Sequence, residues 1–220
     1  MDKDTAVKLD LKKQLKHLYI PSAKEVTVVD VPEMKFVMID GRLEPDATPG
    51  TSPAFAAAIG ALYGLSYTLK FMSKRRPVDP IDYTVMALEG LWSIPTGGAD
   101  YTSAGEWPWT MMMMQPDHVT SEMFAEAVSQ VRQKSEKERR PTESLDRVRF
   151  EAFHEGSCLQ IMHIGPYADE PRTVAKMEAF AQEHGYVFRG RHHEIYLGDP
   201  RTAKPENLKT VLRHAVRPAG

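Results

Sequence analysis

A repeated order of elements constrains this chain more than any other feature. In the first half, β-rich runs at residues 26–29 and 35–39 precede a helix predicted over 54–72, and strands predicted over 82–90 and 107–115 follow it. In the second half, a strand at 158–165 precedes a helix that Pro171 begins, and strands near 192–197 and 208–216 follow. The opening strands end in Gly41 and Gly165. Each half therefore reads strand, helix, strand, strand. The repeats fall at about 25–118 and 146–220, joined by a helix over about 119–140, with residues 1–24 as an N-terminal arm. One such unit cannot cover its own sheet face, whereas two side by side bury a shared core and leave a seam. The expected fold is α+β, with tandem units forming an antiparallel sheet, helices on one face, and a ligand cleft at the pseudo-two-fold seam.

Helical spacing supports the outline. Phe55, Ile59, Leu62, Leu65, Leu69 and Met72 recur at three- and four-residue steps, and Lys74-Arg75-Arg76-Pro77 supplies cations and a breaker at the end. A second helix is predicted over 121–137. In the arm, Leu9, Leu11, Leu15 and Leu18 form a partial stripe ended by Pro21, and its many lysines point to an arm lying on the surface.

Charge and cysteine content exclude several classes. There are 28 Lys+Arg against 30 Asp+Glu, a net charge of -2, so nucleic acid is not the expected partner. One cysteine cannot form an internal disulfide. The N-terminus lacks the apolar centre of a signal peptide, and no apolar run spans a bilayer, so a cytoplasmic protein without a membrane partner is expected. His163, His192, His193 and Glu194 invite a metal, but adjacent strand residues point to opposite faces, so neither metal nor cofactor is expected. The oligomeric state, monomer or homodimer, is left open.

Two groups of residues can carry chemistry. In the run Trp107 to Met114, alternation puts Trp107, Trp109, Met111 and Met113 on one face and Met112 and Met114 on the other. One face is expected to pack on a helix and the other to line the cleft, with Tyr83, Trp92 and Tyr101 completing an aromatic cage. Core packing is the competing role for the methionines. Glu194 and Tyr196 share a face in an apolar strand, where a carboxylate can attract a cation or act as an acid or base. A surface glutamate is the competing role.

The segments Leu9-Asp10-Leu11-Lys12-Lys13 through Leu18-Tyr19, His163-Ile164-Gly165-Pro166-Tyr167 and His193 through Arg201 resemble the GyrI-like small-molecule-binding superfamily. That resemblance implies a stand-alone binding domain without the DNA-binding region of related regulators. It also implies a pocket glutamate at Glu194, His163 and Tyr167 near the ligand, and a hydrophobic or cationic small molecule as partner. Leu88-Glu89-Gly90-Leu91-Trp92, the Gly-rich loop and Trp107-Pro108-Trp109 with the methionines resemble the cyclopropanoid cyclopropyl hydrolase subfamily, which opens the cyclopropane of DNA-alkylating antibiotics in an aromatic cage. This implies Glu194 directing a water and Tyr196 hydrogen-bonding a developing phenolate, with no cofactor. A non-catalytic sequestering or sensing module, and a gyrase-inhibitor-like interaction protein, are the alternatives.

Overall fold

The computed structural model describes residues 6–44, 46–93 and 107–220. Its strands are β1 (Val7–Leu9), β2 (Thr27–Val31), β3 (Met34–Arg42), β4 (Ile81–Tyr83), β5 (Leu88–Trp92), β6 (Pro108–Gln115), β7 (Arg149–Phe153), β8 (Gly156–Ile164), β9 (Tyr186–Tyr196) and β10 (Lys209–Pro218). The α-helices are α1 (Leu11–Gln14), α2 (Lys16–Tyr19), α3 (Pro53–Arg75), α4 (Ser121–Lys137) and α5 (Glu170–Glu183).

Eight strands form one antiparallel sheet in the order β2-β8-β10-β9-β5-β6-β3-β7, and β1 pairs with β4 in parallel apart from it. The large sheet reads alike from both ends. The strands β5 and β9 meet at its middle, and each half places its other two long strands outward. The outermost strands are exchanged: β2 pairs with β8 of the second half, and β7 pairs with β3 of the first.

Period-two alternation sorts the sheet residues between two cores. On one face Val37, Ile39, Leu88, Met111 and Met113 lie beneath α3 and α4, while Leu159, Ile161 and Leu212 lie beneath α5. Helix α3 begins where Ser52 Oγ accepts from the Phe55 N–H and Pro53 occupies the first turn. Its Leu62, Leu65 and Leu69 are fully buried, each worth about 2 kcal/mol of apolar burial. By length and composition α3 is apolar enough to cross a membrane, yet this face of it is a core face. A Cβ on Gly64 would meet Val131 at 3.6 Å, so α4 packs closely there. A Cβ on Gly41 would fall 2.1 Å from the Trp109 ring, so only glycine fits beneath that indole.

The opposite face corrects two expectations. The arm does not lie on the surface: Leu11, Leu18 and Tyr19 join Phe36, Met38, Met112 and Met114 in a second core. Consequently Met112 and Met114 face the arm rather than a cleft, and the long helices and the seam share the other side. The strand expected over 82–90 is also divided, because Met86 and Ala87 turn into the arm-side core between β4 and β5.

Candidate functional site

At the middle of the sheet, Gly90 pairs with Glu194, Trp92 with His192 and Leu88 with Tyr196. These six residues therefore face the helix side, between α3 and α5. Tyr196 Oη donates to Glu194 Oε2 at 2.7 Å, and Trp92 Nε1 donates to Tyr196 Oη at 2.9 Å. His192 Nε2 stands 3.5 Å from Glu194 Oε1. The Tyr167 ring meets Tyr196 edge-on at 6.0 Å. Burial and the Glu194 charge push the Tyr196 hydroxyl well above its usual range. A Cβ at Gly90 would lie 2.5 Å from Met111 Cε, 3.0 Å from Trp92 Nε1 and 3.1 Å from Tyr196 Oη, so glycine leaves the space in which these groups meet.

A second carboxyl joins them. Glu170 opens α5 and is 4% exposed. Burial first, then the Glu194 charge, pushes it up to about 9, so it is protonated at neutral pH. Thr210 is its neighbour, yet neither Glu170 Oε1 nor the Thr210 hydroxyl makes a hydrogen bond of good geometry among the described residues. The seam thus presents one neutral carboxyl beside one that accepts from a tyrosine. Such pairs divide acid and base roles.

The remaining expected residues are placed as follows. Phe55 bridges Trp92 (5.8 Å between centroids) and Trp109 (5.2 Å), and Trp107 packs partly buried on the same cluster. Met111 borders the site through its methyl group. Met113 is core, receiving the Ser66 hydroxyl on its sulfur at 3.5 Å. His163 is buried: its Nδ1 pairs with Thr173 Oγ1 at 2.9 Å and its Nε2 donates to the Pro166 carbonyl at 3.2 Å, so it ties the turn carrying Tyr167 to α5. Tyr83 is not brought to the cluster: it lies in the arm-side core, donating to Gln115 at 3.3 Å. Tyr101 and the Gly-rich loop lie outside the described residues.

Behind the site, on the arm side of the same strands, is a buried polar network. Glu89 accepts from Tyr19 Oη at 2.7 Å and from His193 Nε2 at 3.1 Å, and His193 Nδ1 donates to Glu155 at 3.0 Å. Both ring nitrogens face carboxylates, so His193 is an imidazolium. Burial alone would lower its pKa, but Glu155 and then Glu89 hold it at about 9. Arg213 donates to Gln160 and the Leu18 carbonyl, and Gln160 to the His17 carbonyl, fastening the arm. His192 and His193 do diverge to opposite faces, and no group of three His, Cys, Asp or Glu suited to a metal occurs among the described residues. Open grooves of about 670 Å³ between α3 and α4, and about 360 Å³ beside β7, lie away from Glu194.

An antiparallel sheet with long helices on one face and a carboxyl–aromatic cluster at its middle defines the chain as an α+β protein. Residues 24–216 match the GyrI-like small molecule binding domain, and the chain belongs to that family. It is similar to an uncharacterized conserved protein from Listeria innocua, with 37% identity over 95% of this chain and 100% of that one, and a TM-score of 0.82. It is equally similar to a hydrolase from Listeria innocua, with 37% identity over 96% of this chain and 100% of that one, and a TM-score of 0.80. The EcmrR C-terminal domain, 10% identical over 88% of this chain and 98% of that one, shares the fold alone at a TM-score of 0.50. No curated protein matches the sequence significantly.

Proposed function

We propose that the chain is a hydrolase of planar, strained, hydrophobic xenobiotics, opening the cyclopropane of DNA-alkylating antibiotics and so protecting the cell. The observation that carries this reading is the hydrogen-bonded run from Trp92 through Tyr196 to Glu194, with Tyr167 edge-on to Tyr196 and the buried carboxyl of Glu170 within the field of the Glu194 charge. The hydrolase from Listeria innocua, similar along its whole length, supports the reaction class.

The chain's own groups suffice for the steps. Glu194 takes a proton from a water whose oxygen attacks the ring carbon. The cyclopropane C–C bond breaks, its electron pair enters the dienone, and the oxygen of the resulting phenolate takes the proton from Glu170. Transfer from Glu194 to Glu170 then restores the pair, so the reaction is a net addition of water. Tyr196 is engaged with Glu194, which favours a role in orienting that carboxylate over donation to the phenolate. Trp92 and Phe55 supply flat walls for stacking.

Incubating purified protein with a cyclopropane-dienone compound should yield the ring-opened alcohol, read by mass spectrometry. Glu194→Gln and Trp109→Ala should slow it, the former by 100-fold or more, an order-of-magnitude figure for loss of a general base. Tight binding without product would replace hydrolysis with sequestration, a reading favoured by two buried acids in an aromatic setting. Full turnover in both variants would remove these residues from the site.

A further inference from the structure

The outward side of α3 is unlike that of the other long helices. From Ala54 through Leu69 the helix carries no charged residue, and its exposed positions there are small or aromatic. By contrast α4 turns Glu122, Glu126 and Lys134 to solvent, and α5 turns Arg172, Lys176 and Glu178. A helix side that faces water ordinarily carries such charges, and a contiguous apolar one marks an interface. The uncharged side is ordered by size. Ala56, Ala57 and Gly60 are exposed in its first half, and a Cβ at Gly60 would meet nothing within 4 Å. Tyr63, Tyr67 and Phe71, spaced by four, form a ridge along the second half, 38%, 48% and 42% exposed. The Tyr63 and Tyr67 rings are 25° from parallel with centroids 6.4 Å apart, and the Arg75 guanidinium lies over Phe71 at 5.2 Å. Charge is ordered too. Glu44 accepts from the Ala54 N–H at 3.4 Å where the helix begins, whereas Lys74 and Arg75 close it. Asp82 holds Lys74 at 2.7 Å, but neither Glu44 nor Arg75 makes an ion pair among the described residues.

We propose that this side of α3 is the contact surface for a second copy of the chain, the two α3 helices running antiparallel about a two-fold axis near residues 63 and 64. The register follows from size. Tyr67 of one copy lies on the partner's Gly60 and Phe71 on the partner's Ala56, and the symmetry repeats both contacts. The same register carries Arg75 to the start of the opposite helix, toward the partner's Glu44. A parallel pairing would instead set ridge on ridge and cation on cation. A bilayer is the poorer occupant, because Ala56, Ala57 and Gly60 offer it little apolar area to bury, whereas their smallness makes a socket for rings.

Sedimentation equilibrium of the full chain, from about 1 to about 100 μM, should show a reversible dimer, the range in which a modest helix–helix contact reports. Gly60→Gln leaves the monomer unstrained, since its site is open and glycine is a poor helix former, yet it fills the socket twice per dimer. It should raise the dissociation constant about tenfold without lowering the melting temperature of the monomer. Tyr67→Glu, which buries a charge twice, should raise it about 100-fold. Arg75→Glu and Glu44→Arg should each weaken the dimer a few-fold, and the double variant should recover the native value. A monomer across the whole range overturns the proposal, as does a dimer that neither Gly60→Gln nor Tyr67→Glu weakens. Sedimentation of the chain with phosphatidylglycerol vesicles while it stays monomeric in solution assigns the face to a membrane and overturns the dimer. Failure of the charge-swapped double variant to recover overturns the antiparallel order.

Discussion

His193 and Glu194 are neighbours in β9 and stand on opposite faces of the sheet, the first between two carboxylates and the second among aromatic rings. The strand that carries the seam glutamate is thus anchored from behind by a buried cation. The anchor reaches the arm through Tyr19, the first half through Glu89 and the second half through Glu155.

This anchor makes stability fall on the alkaline side. The folded pKa of His193 is about 9, above the ordinary value of 6.5, so its contribution is complete below 6.5 and is lost as pH rises through 9. The difference corresponds to about 3 kcal/mol. Urea unfolding between pH 6 and 10 should show the decline, and His193→Gln should flatten that limb while lowering stability at pH 6. An unchanged slope in the variant would place the titrating group elsewhere.

Glu170 bends the profile the same way by a different route. Its folded pKa is raised to about 9 from 4.5, so the fold binds a proton that the unfolded chain releases, and stability declines from 4.5 upward. Glu170→Gln should therefore raise the melting temperature at pH 8 and abolish hydrolysis of a cyclopropane-dienone. In the native protein, turnover should fall as pH passes about 9. A variant that is both more stable and fully active would confine Glu170 to a structural role.

At Gly90 the expected effect is on function more than on folding. An added methyl meets the mobile end of Met111, but it also presses on the Trp92–Tyr196 hydrogen bond. Gly90→Ala should cost only about 1–2 kcal/mol in stability, as overpacking by one methyl does, and reduce ligand affinity or turnover tenfold or more. Paired thermal-melt and titration measurements separate the two effects, and a proportionate loss in both would argue against a special fit at this position.

Removing one hydroxyl should loosen the arm. Tyr19→Phe leaves Glu89 Oε1 buried without its donor, at a cost of about 1–3 kcal/mol. Hydrogen exchange should show faster opening of residues 11–19 than of the α3-side core. Uniform acceleration across the chain would mean that the arm unfolds only with the whole.

Much of this architecture was legible in the sequence because it follows from local periodicity. Ser121–Lys137 forms the helix expected there, and alternation in β9 places Glu194 and Tyr196 together. What escaped depends on distant partners. Glu170, beside a proline at a helix start, reads as an ordinary acid favoured by the helix dipole, and only folding sets it near Glu194. The arm reads as a solvated lysine-rich segment because the side chains that capture its carbonyls, Gln160 and Arg213, lie far along the chain. Tyr83 has the right chemistry for a cage, but the turn at Met86 and Ala87 carries it to the other face.

The exchange of β2 and β7 makes each half a tenant of the other. Neither three-stranded core has its edge covered until the opposite half supplies a strand, so a half-chain would expose β8 or β3 as a bare template. Parting the halves would therefore break the β2–β8 and β7–β3 pairings along with β5–β9, which binds the whole sheet into one unit.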